Sequence, residues 1–359
     1  MAWQHPASRT TAGITIRLGG TDDVRVAAGV ELVSKSDICI YGAGSGHRAE
    51  VFGSVSGRYG IYLGNAPEAD AGESVRIGRG GEVFGSQYGI VLLASDGNIV
   101  NAGKIGALSV GVYLEAVSST TQTTLQNRGV IDAGRTGINV YSSSLTRDPE
   151  TVEVSNGGLI RGGDYCYDSN GFSVDVIGNT GRMVGELRLG RGDDIYRGRG
   201  GTLSGAAYGE DGNDIIYAGQ GANVLDGGAG NDRLAGGRGA DVLRGGADAD
   251  RFIFAAVGHS TVSASGRDTV EDFNRAEGDR VDLRQIDADA VKGGNQAFEY
   301  IGASAFSGDA GELRAVGSGG DILVRGDVDG DGKADFEILL AGISWVRVTD
   351  LLLQRVVLV

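Results

Sequence analysis

Residues 209–253 read GEDGNDIIY AGQGANVLD GGAGNDRLA GGRGADVLR GGADADRFI, five nonapeptides in unbroken register. Glycine dominates the first, second and fourth places, Asp or Asn holds the sixth, and an apolar residue holds the eighth. Isolated matches to such a phrase arise by chance in a glycine-rich chain; five in register do not. The period predicts a turn over the first six places and a short strand over the last three. Glycine is needed because the turn must bend sharply while aiming carbonyl oxygens at one point. The eighth residue is expected to face inward: Ile216, Leu225, Leu234, Leu243 and Phe252, with Tyr196 from an outlying copy, LGRGDDIYR, at 189–197.

Two nonapeptides make one coil, so alternate repeats share an edge, about 4.8 Å apart as neighbouring strands. By this arithmetic Asp214 pairs with Asp232, Asn223 with Asp241, and Asp232 with Asp250. Asp194 is the sixth-place residue of the outlying copy, and Asp268 and Asp272 are placed to complete a last site. Carboxylates stacked at strand spacing repel one another unless a cation lies between them. Calcium takes roughly six to eight oxygens in a forgiving geometry, which carboxylates and carbonyls supply. Several calcium ions are therefore the expected cofactor.

The first half carries a different rhythm. Asn101-Ala-Gly103-Lys-Ile105, Asn127-Arg-Gly129-Val-Ile131, Asn156-Gly-Gly158-Leu-Ile160 and Asn179-Thr-Gly181-Arg-Met183 repeat one phrase. Looser copies stand at Arg79–Val83 and His47–Val51. A second phrase follows as Gly60-Ile-Tyr-Leu63, Gly89-Ile-Val-Leu92, Gly111-Val-Tyr-Leu114 and Gly137-Ile-Asn-Val140. Two short alternating strands per 22–32 residues, without helical periodicity, predict the coils of a parallel β-helix. Ile61, Ile90, Val112 and Ile138 then stack inside, as do Leu63, Leu92, Leu114 and Val140, while Tyr62, Val91, Tyr113 and Asn139 face out. Asn before Gly suits a left-handed corner and can ladder its amide onto the next coil.

Two repeats, GGAGNDRLA and GGRGADVLR, match GGxGxDxUx at every fixed place, and the stretch resembles the RTX (repeats-in-toxin) family. That resemblance implies ligand carbonyls from the second and fourth places: Gly212, Gly219, Gly221, Gly228, Gly230, Gly237 and Gly239. Asn223 for Asp, Glu210 for the second-place Gly and Asp248 for the fourth-place Gly depart from the pattern. Beyond Asp250, the pieces Asp268-Thr-Val-Glu-Asp-Phe273, Gly278-Asp-Arg-Val-Asp-Leu283 and Asp327-Val-Asp-Gly-Asp-Gly332 resemble the C-terminal domain of serralysin-type peptidases. The first half resembles the passenger β-helices of secreted adhesins. The expected fold is all-β: a right-handed parallel β-helix (1–185), a calcium β-roll (186–253), and a β-rich cap (254–359) that carries a secretion signal.

The formal net charge of −15 argues against nucleic acid or an anionic membrane as partner and for cations. No apolar run is long enough to span a bilayer. The opening MAWQHPASRT is not a basic-then-apolar leader, while Thr349-Asp350 before terminal hydrophobics resembles an uncleaved signal for type I secretion machinery. An extracellular location follows, with polysaccharide or a cell surface as candidate partner. Cys39 and Cys166 allow at most one disulfide and lack zinc spacing. With only His5, His47 and His259 there is no HExxH, so the serralysin likeness does not extend to zinc peptidase chemistry. No catalytic residue is assigned. A β-helix followed by RTX repeats also resembles alginate epimerases and some polysaccharide lyases, which makes a carbohydrate-active enzyme the alternative. Asp327-x-Asp329-x-Asp331-Gly332 opens like an EF-hand loop, but Ile338 stands where the bidentate Glu belongs, and an Asx-rich hairpin turn is the simpler expectation.

Overall fold

The computed structural model describes residues 2–65, 70–116, 122–142, 150–198 and 200–353. Among them there is no α-helix; strands dominate, and the chain divides into two compact units. The first comprises Met1–Tyr196 with Gly200–Gly205, the second Arg197–Arg199 with Ala206–Val359.

The first unit is a parallel β-helix with three strands per coil rather than two. One face stacks Arg48–Val51, Ser74–Ile77, Asn98–Asn101, Gln122–Asn127, Thr151–Asn156 and Val174–Asn179. The second stacks Lys104–Ala107 and Val130–Ala133 between the leading halves of Glu82–Leu93 and Leu159–Asn170. The third stacks Ile38–Gly42, the trailing halves of Ser54–Leu63 and Glu82–Leu93, Val110–Ala116 and Thr136–Ser142. Each contributes an inward column excluded from solvent: Val75, Ile99, Leu125, Val154 and Ile177; Val83, Ile105, Ile131, Ile160 and Met183; Ile61, Ile90, Val112 and Ile138. The last is the column expected from the second sequence phrase, and the Leu63, Leu92, Leu114 and Val140 column is equally buried.

Two expectations are corrected. His47–Val51 is not a copy of the Lys104–Ile105 strand: Val51 stacks on Ile77 of the first face, and Val55 is the residue opposite Val83. The corner glycines Gly103, Gly129, Gly158 and Gly181 are not there for positive φ. A Cβ on any of them would collide with the carbonyl oxygen of the corner glycine one coil earlier, so close backbone stacking selects them.

The asparagines beside these corners do form a ladder. Asn101 Nδ2 donates to Asn127 Oδ1, Asn127 to Asn156 and Asn156 to Asn179, each at 2.8 Å and fully buried. Each Oδ1 of Asn101, Asn156 and Asn179 also accepts the N–H two residues on. Cys39 and Cys166 are free and buried; the burial pushes the Cys166 thiol up to about 12.

In the second unit the repeats wind as a parallel roll. Ile215–Gln220 pairs with Arg233–Arg238 along one side, and Ala206–Asp211, Val224–Ala229 and Val242–Ala247 pair along the other. The strands span the seventh to ninth places and continue through the first three of the next repeat, so only three residues make each turn. All the expected eighth-place residues are fully buried. Both columns extend past the repeats: Ile216, Leu234, Phe252 and Val281 align, as do Leu225, Leu243, Val270 and Leu340. An antiparallel meander of Glu312–Ser318, Asp321–Asp327 and Phe336–Leu340 completes the cap. Asp350 is buried in an ion pair with Arg275, and Leu351–Leu352 pairs with Arg280–Asp282. Of the stretch expected as a secretion signal, Thr349-Asp350 and the hydrophobics that follow, residues 354–359 lie outside the described residues.

Removing one rung of the asparagine ladder leaves both buried neighbours short of a partner, at about 1–3 kcal/mol per orphaned group. Asn127→Ala is therefore expected to lower the denaturation midpoint of the β-helix unit well beyond the effect of Ala at exposed Arg128, read by chemical denaturation.

Candidate metal centre

Every turn of the roll ends on a buried sixth-place residue. Asp214, Asp232, Asp241 and Asp250 are at most 1% exposed, and Asn223 is 3% exposed. The N–H of each donates to Oδ1 of the sixth-place residue one coil later: Asp214 to Asp232 at 2.7 Å, Asn223 to Asp241 and Asp232 to Asp250 at 2.8 Å. The three pairs read from the repeat spacing are thus adjacent. The ladder continues into the cap, from Asp241 to Asp268 and from Asp250 to Asp279, both at 2.9 Å. One edge carries Asp214, Asp232, Asp250 and Asp279; the other carries Asn223, Asp241 and Asp268.

Asp272 stands off these edges. Its two oxygens accept the N–H groups of Gly245 (3.0 Å) and Gly246 (2.9 Å), clamping the start of the last repeat. Asp194 lies in the first unit, where its Oδ1 accepts the N–H of Asp175 at 2.6 Å. Asp175 and Asp279 were not picked out by sequence reasoning. Asp279 follows Asp250 by 29 residues instead of 18; its signal was Gly278-Asp279-Arg280-Val281, the tail of a nonapeptide without its head.

Tying Oδ1 to the neighbouring coil turns Oδ2 back into its own repeat. There it meets the first-place glycine: a Cβ on Gly209, Gly227, Gly236 or Gly245 would collide with Oδ2 of Asp214, Asp232, Asp241 or Asp250. The Oδ2 atoms of Asp241, Asp250 and Asp268 are buried without a hydrogen-bond partner. One repeat breaks the pattern at both places, with Ala218 first and Asn223 sixth. Both residues are buried.

The second- and fourth-place residues stack main chain on main chain. A Cβ on Gly228, Gly237 or Gly246 would collide with the carbonyl oxygen of Glu210, Gly219 or Gly228; one on Gly230 or Gly239 would collide with that of Gly212 or Gly221. The carbonyls implied as ligands belong to these stacks. The glycines hold positive φ, and Glu210 (77°) and Asp248 (79°), which replace glycine at these places, are the non-glycine residues that adopt it among the described residues.

Burial raises the carboxyl pKa of Asp241 to about 6 and those of Asp250 and Asp268 to about 8; at Asp250 and Asp268 like charge on adjacent carboxylates adds to the rise. Buried, partly unpartnered carboxylates of this kind are held ionised by a cation or neutralised by a proton. An all-oxygen set of carboxylates and carbonyls is the donor chemistry of calcium. The residues present fit that ion, and they would hold it between alternate repeats.

Asp327, Asp329 and Asp335 also bring carboxylate oxygens within 4.8 Å of one another. Both Asp327 oxygens accept turn N–H groups, from Gly330 (2.8 Å) and Gly332 (2.9 Å), and Asp331 pairs with Lys333. This is the Asx-rich hairpin turn.

Residues 207–234 and 226–256 match the family model of the RTX calcium-binding nonapeptide repeat. Residues 207–256 carry RTX repeats. The roll is a β-roll built on RTX calcium-binding repeats, and its buried aspartates are the sixth-place residues of those repeats. The chain is also similar to two solution structures from the mannuronan C5-epimerase of Azotobacter vinelandii. The AlgE6R2 subunit is 23% identical, with 51% of this chain and 98% of that one covered and a TM-score of 0.28. The AlgE6R3 subunit is 20% identical, with 55% and 80% covered and a TM-score of 0.19. Scores this low transfer neither activity nor substrate. No curated protein matches the sequence.

Two outcomes follow. An Asp with a raised folded-state pKa favours the fold below its unfolded value near 3.9 and loses that contribution as pH rises through the folded pKa. In chelator the roll is therefore expected to grow less stable between about pH 4 and 8; in saturating calcium the carboxylates stay ionised and acidification destabilises. Thermal melts across that range, with and without chelator, check the opposite slopes. Relieving the left-handed strain by Glu210→Gly or Asp248→Gly is expected to stabilise the calcium-loaded roll by about 0.5–1 kcal/mol each, measured by denaturant midpoint.

Proposed function

We propose that this chain is a secreted, calcium-dependent binding or structural module in which several ions between the edge carboxylates drive folding of the roll outside the cell. The observation that carries the reading is the pair of buried aspartate edges. Extracellular calcium is abundant enough to saturate sites of about 10⁻⁴–10⁻³ M, whereas cytosolic calcium is not. The working parts are the β-helix (1–185), the roll (186–253) and the cap (254–359), with type I export as the route.

The partner surface we assign is the third face of the β-helix. Its outward residues include Tyr41, Tyr62, Tyr59, Tyr88 and Tyr113, all partly exposed. Tyr59 and Tyr88 stack in parallel planes at 5.4 Å; Tyr41–Tyr62, Tyr59–Tyr62 and Tyr88–Tyr113 lie at 5.8 Å. Arg17 covers Tyr41 at 4.9 Å and Arg58 covers Tyr59 at 5.5 Å. A continuous aromatic strip edged by guanidinium groups suits the C–H faces and carboxylates of a polysaccharide. No described helix is long and apolar enough to cross a membrane.

The carbohydrate-active alternative would use Tyr113 in proton transfer. Burial, then the charge of Glu115, pushes its hydroxyl well above the usual tyrosine range. A phenol so held is protonated at neutral pH, donates hydrogen bonds to a sugar and is poorly matched to proton abstraction.

Calcium-loaded protein is expected to bind an acidic polysaccharide such as alginate or pectate, read by affinity electrophoresis, with no unsaturated products and no change in uronate stereochemistry. Tyr62→Ala with Tyr113→Ala should weaken binding at least tenfold. Turnover that disappears in Tyr113→Phe would establish the enzyme instead.

A further inference from the structure

The β-helix unit contains a buried acidic cluster outside the five consecutive nonapeptides, between the outlying copy at 189–197 and a segment that is not a repeat. Asp175 and Asp194 are 0% exposed, and Glu150, Ser169, Ser173 and Tyr167 around them are at most 2% exposed. The link between the two aspartates is the one found along the roll: the Asp175 N–H donates to Asp194 Oδ1 at 2.6 Å.

The main chain around them repeats the roll's arrangement too. Gly190 and Gly192, at second and fourth place of the outlying copy, have φ of 96° and 136°. A Cβ on Gly190 would press on the Ser169 carbonyl oxygen at 2.9 Å, and one on Gly192 would collide with that of Ser173. Ser169, Ser173 and Asp175 therefore occupy the stations of a second-, fourth- and sixth-place residue. In sequence they read S-N-G-F-S-V-D, with two extra residues and no glycine at either carbonyl station.

An independent observation points to an occupant. Neither carboxylate oxygen of Asp175 is in hydrogen-bond geometry with a donor, and nor is the Tyr167 hydroxyl. The hydroxyls of Ser169 and Ser173 bond to each other at 3.2 Å, and Glu150 accepts the Thr123 hydroxyl at 2.9 Å. Burial pushes the Asp175 carboxyl up to about 6; the nearby Ser169, Tyr167 and Ser173 hydroxyls only temper that rise. An unpartnered carboxylate in a dry interior is too costly to leave uncompensated, and every donor here is oxygen, the chemistry of a hard divalent cation.

We propose that Asp175 and Asp194, with the main-chain carbonyls of Ser169 and Ser173, form an additional calcium site inside the β-helix unit, pairing the outlying repeat copy with the non-repeat segment 169–175. From the calcium reading of the roll it takes only the identity of the ion; the geometry belongs to this unit alone. The site would make part of the β-helix, and not just the roll, dependent on calcium.

The test is peptide-resolved hydrogen exchange on the full chain, with calcium or chelator, for wild type and Asp175→Asn. Calcium is expected to slow exchange across 169–194 at least tenfold in the wild type. Asp175→Asn should abolish that slowing while 207–256 keeps its own response, and equilibrium dialysis should find one fewer bound ion. In chelator the variant should be at least as protected as wild type over 169–194, because a neutral amide replaces a buried carboxylate. Three results would overturn the site: no calcium response at 169–194 while 207–256 responds, a response that survives Asp175→Asn, or a variant less protected than wild type in chelator. If 207–256 also fails to respond, the calcium reading of the roll falls as well.

Discussion

Like charges stacked at strand spacing inside a protein are the constraint on which the repeat region turns. Neighbouring strands sit about 4.8 Å apart, and two carboxylates at that distance with little water between them repel strongly. Asp232 and Asp250 face each other in this way, as do Asp241 and Asp268. The hydrogen bond from one coil's N–H to the next coil's Oδ1 aims each carboxylate but leaves its charge standing. A divalent ion between coils converts the repulsion into attraction and serves two coils at once. On the proposed reading each ion would add only modestly, about 1.4 kcal/mol at ten times its Kd, and more than one linked ion would be needed to decide the state of a marginally stable roll.

The same constraint explains the glycines. First-place glycines clear room for Oδ2, while second- and fourth-place glycines let main chain stack on the carbonyl of the coil before. Where the sequence departs from glycine, the structure records a cost or a compensation. Glu210 and Asp248 are held at positive φ, and Ala218 accompanies the loss of charge at Asn223. Between Asn101 and Asn179 the β-helix uses a neutral device instead, an amide ladder that satisfies itself from coil to coil.

Much of this was legible in the residues, for physical reasons. A strict nine-residue period leaves the inward column and the aspartate partners no freedom, so Leu225 over Leu243 and Asp232 beside Asp250 could be read directly. The turn length was misjudged because glycine marks both bends and extended segments that need backbone contact. The third strand of each β-helix coil was missed: strands such as Gln122–Asn127 and Thr151–Asn156 alternate with polar residues and follow segments of variable length. Asp279 and Asp175 escaped because their spacing is irregular. Register in three dimensions, not period along the chain, brings them to their partners.

The most direct measurement is a calcium titration of the purified full chain out of chelator, followed by far-ultraviolet circular dichroism and thermal melting. The account predicts that the roll's β signal appears cooperatively as calcium is added, that the melting temperature rises with it, and that chelator reverses both. A spectrum and melt unchanged by calcium or its removal would contradict it.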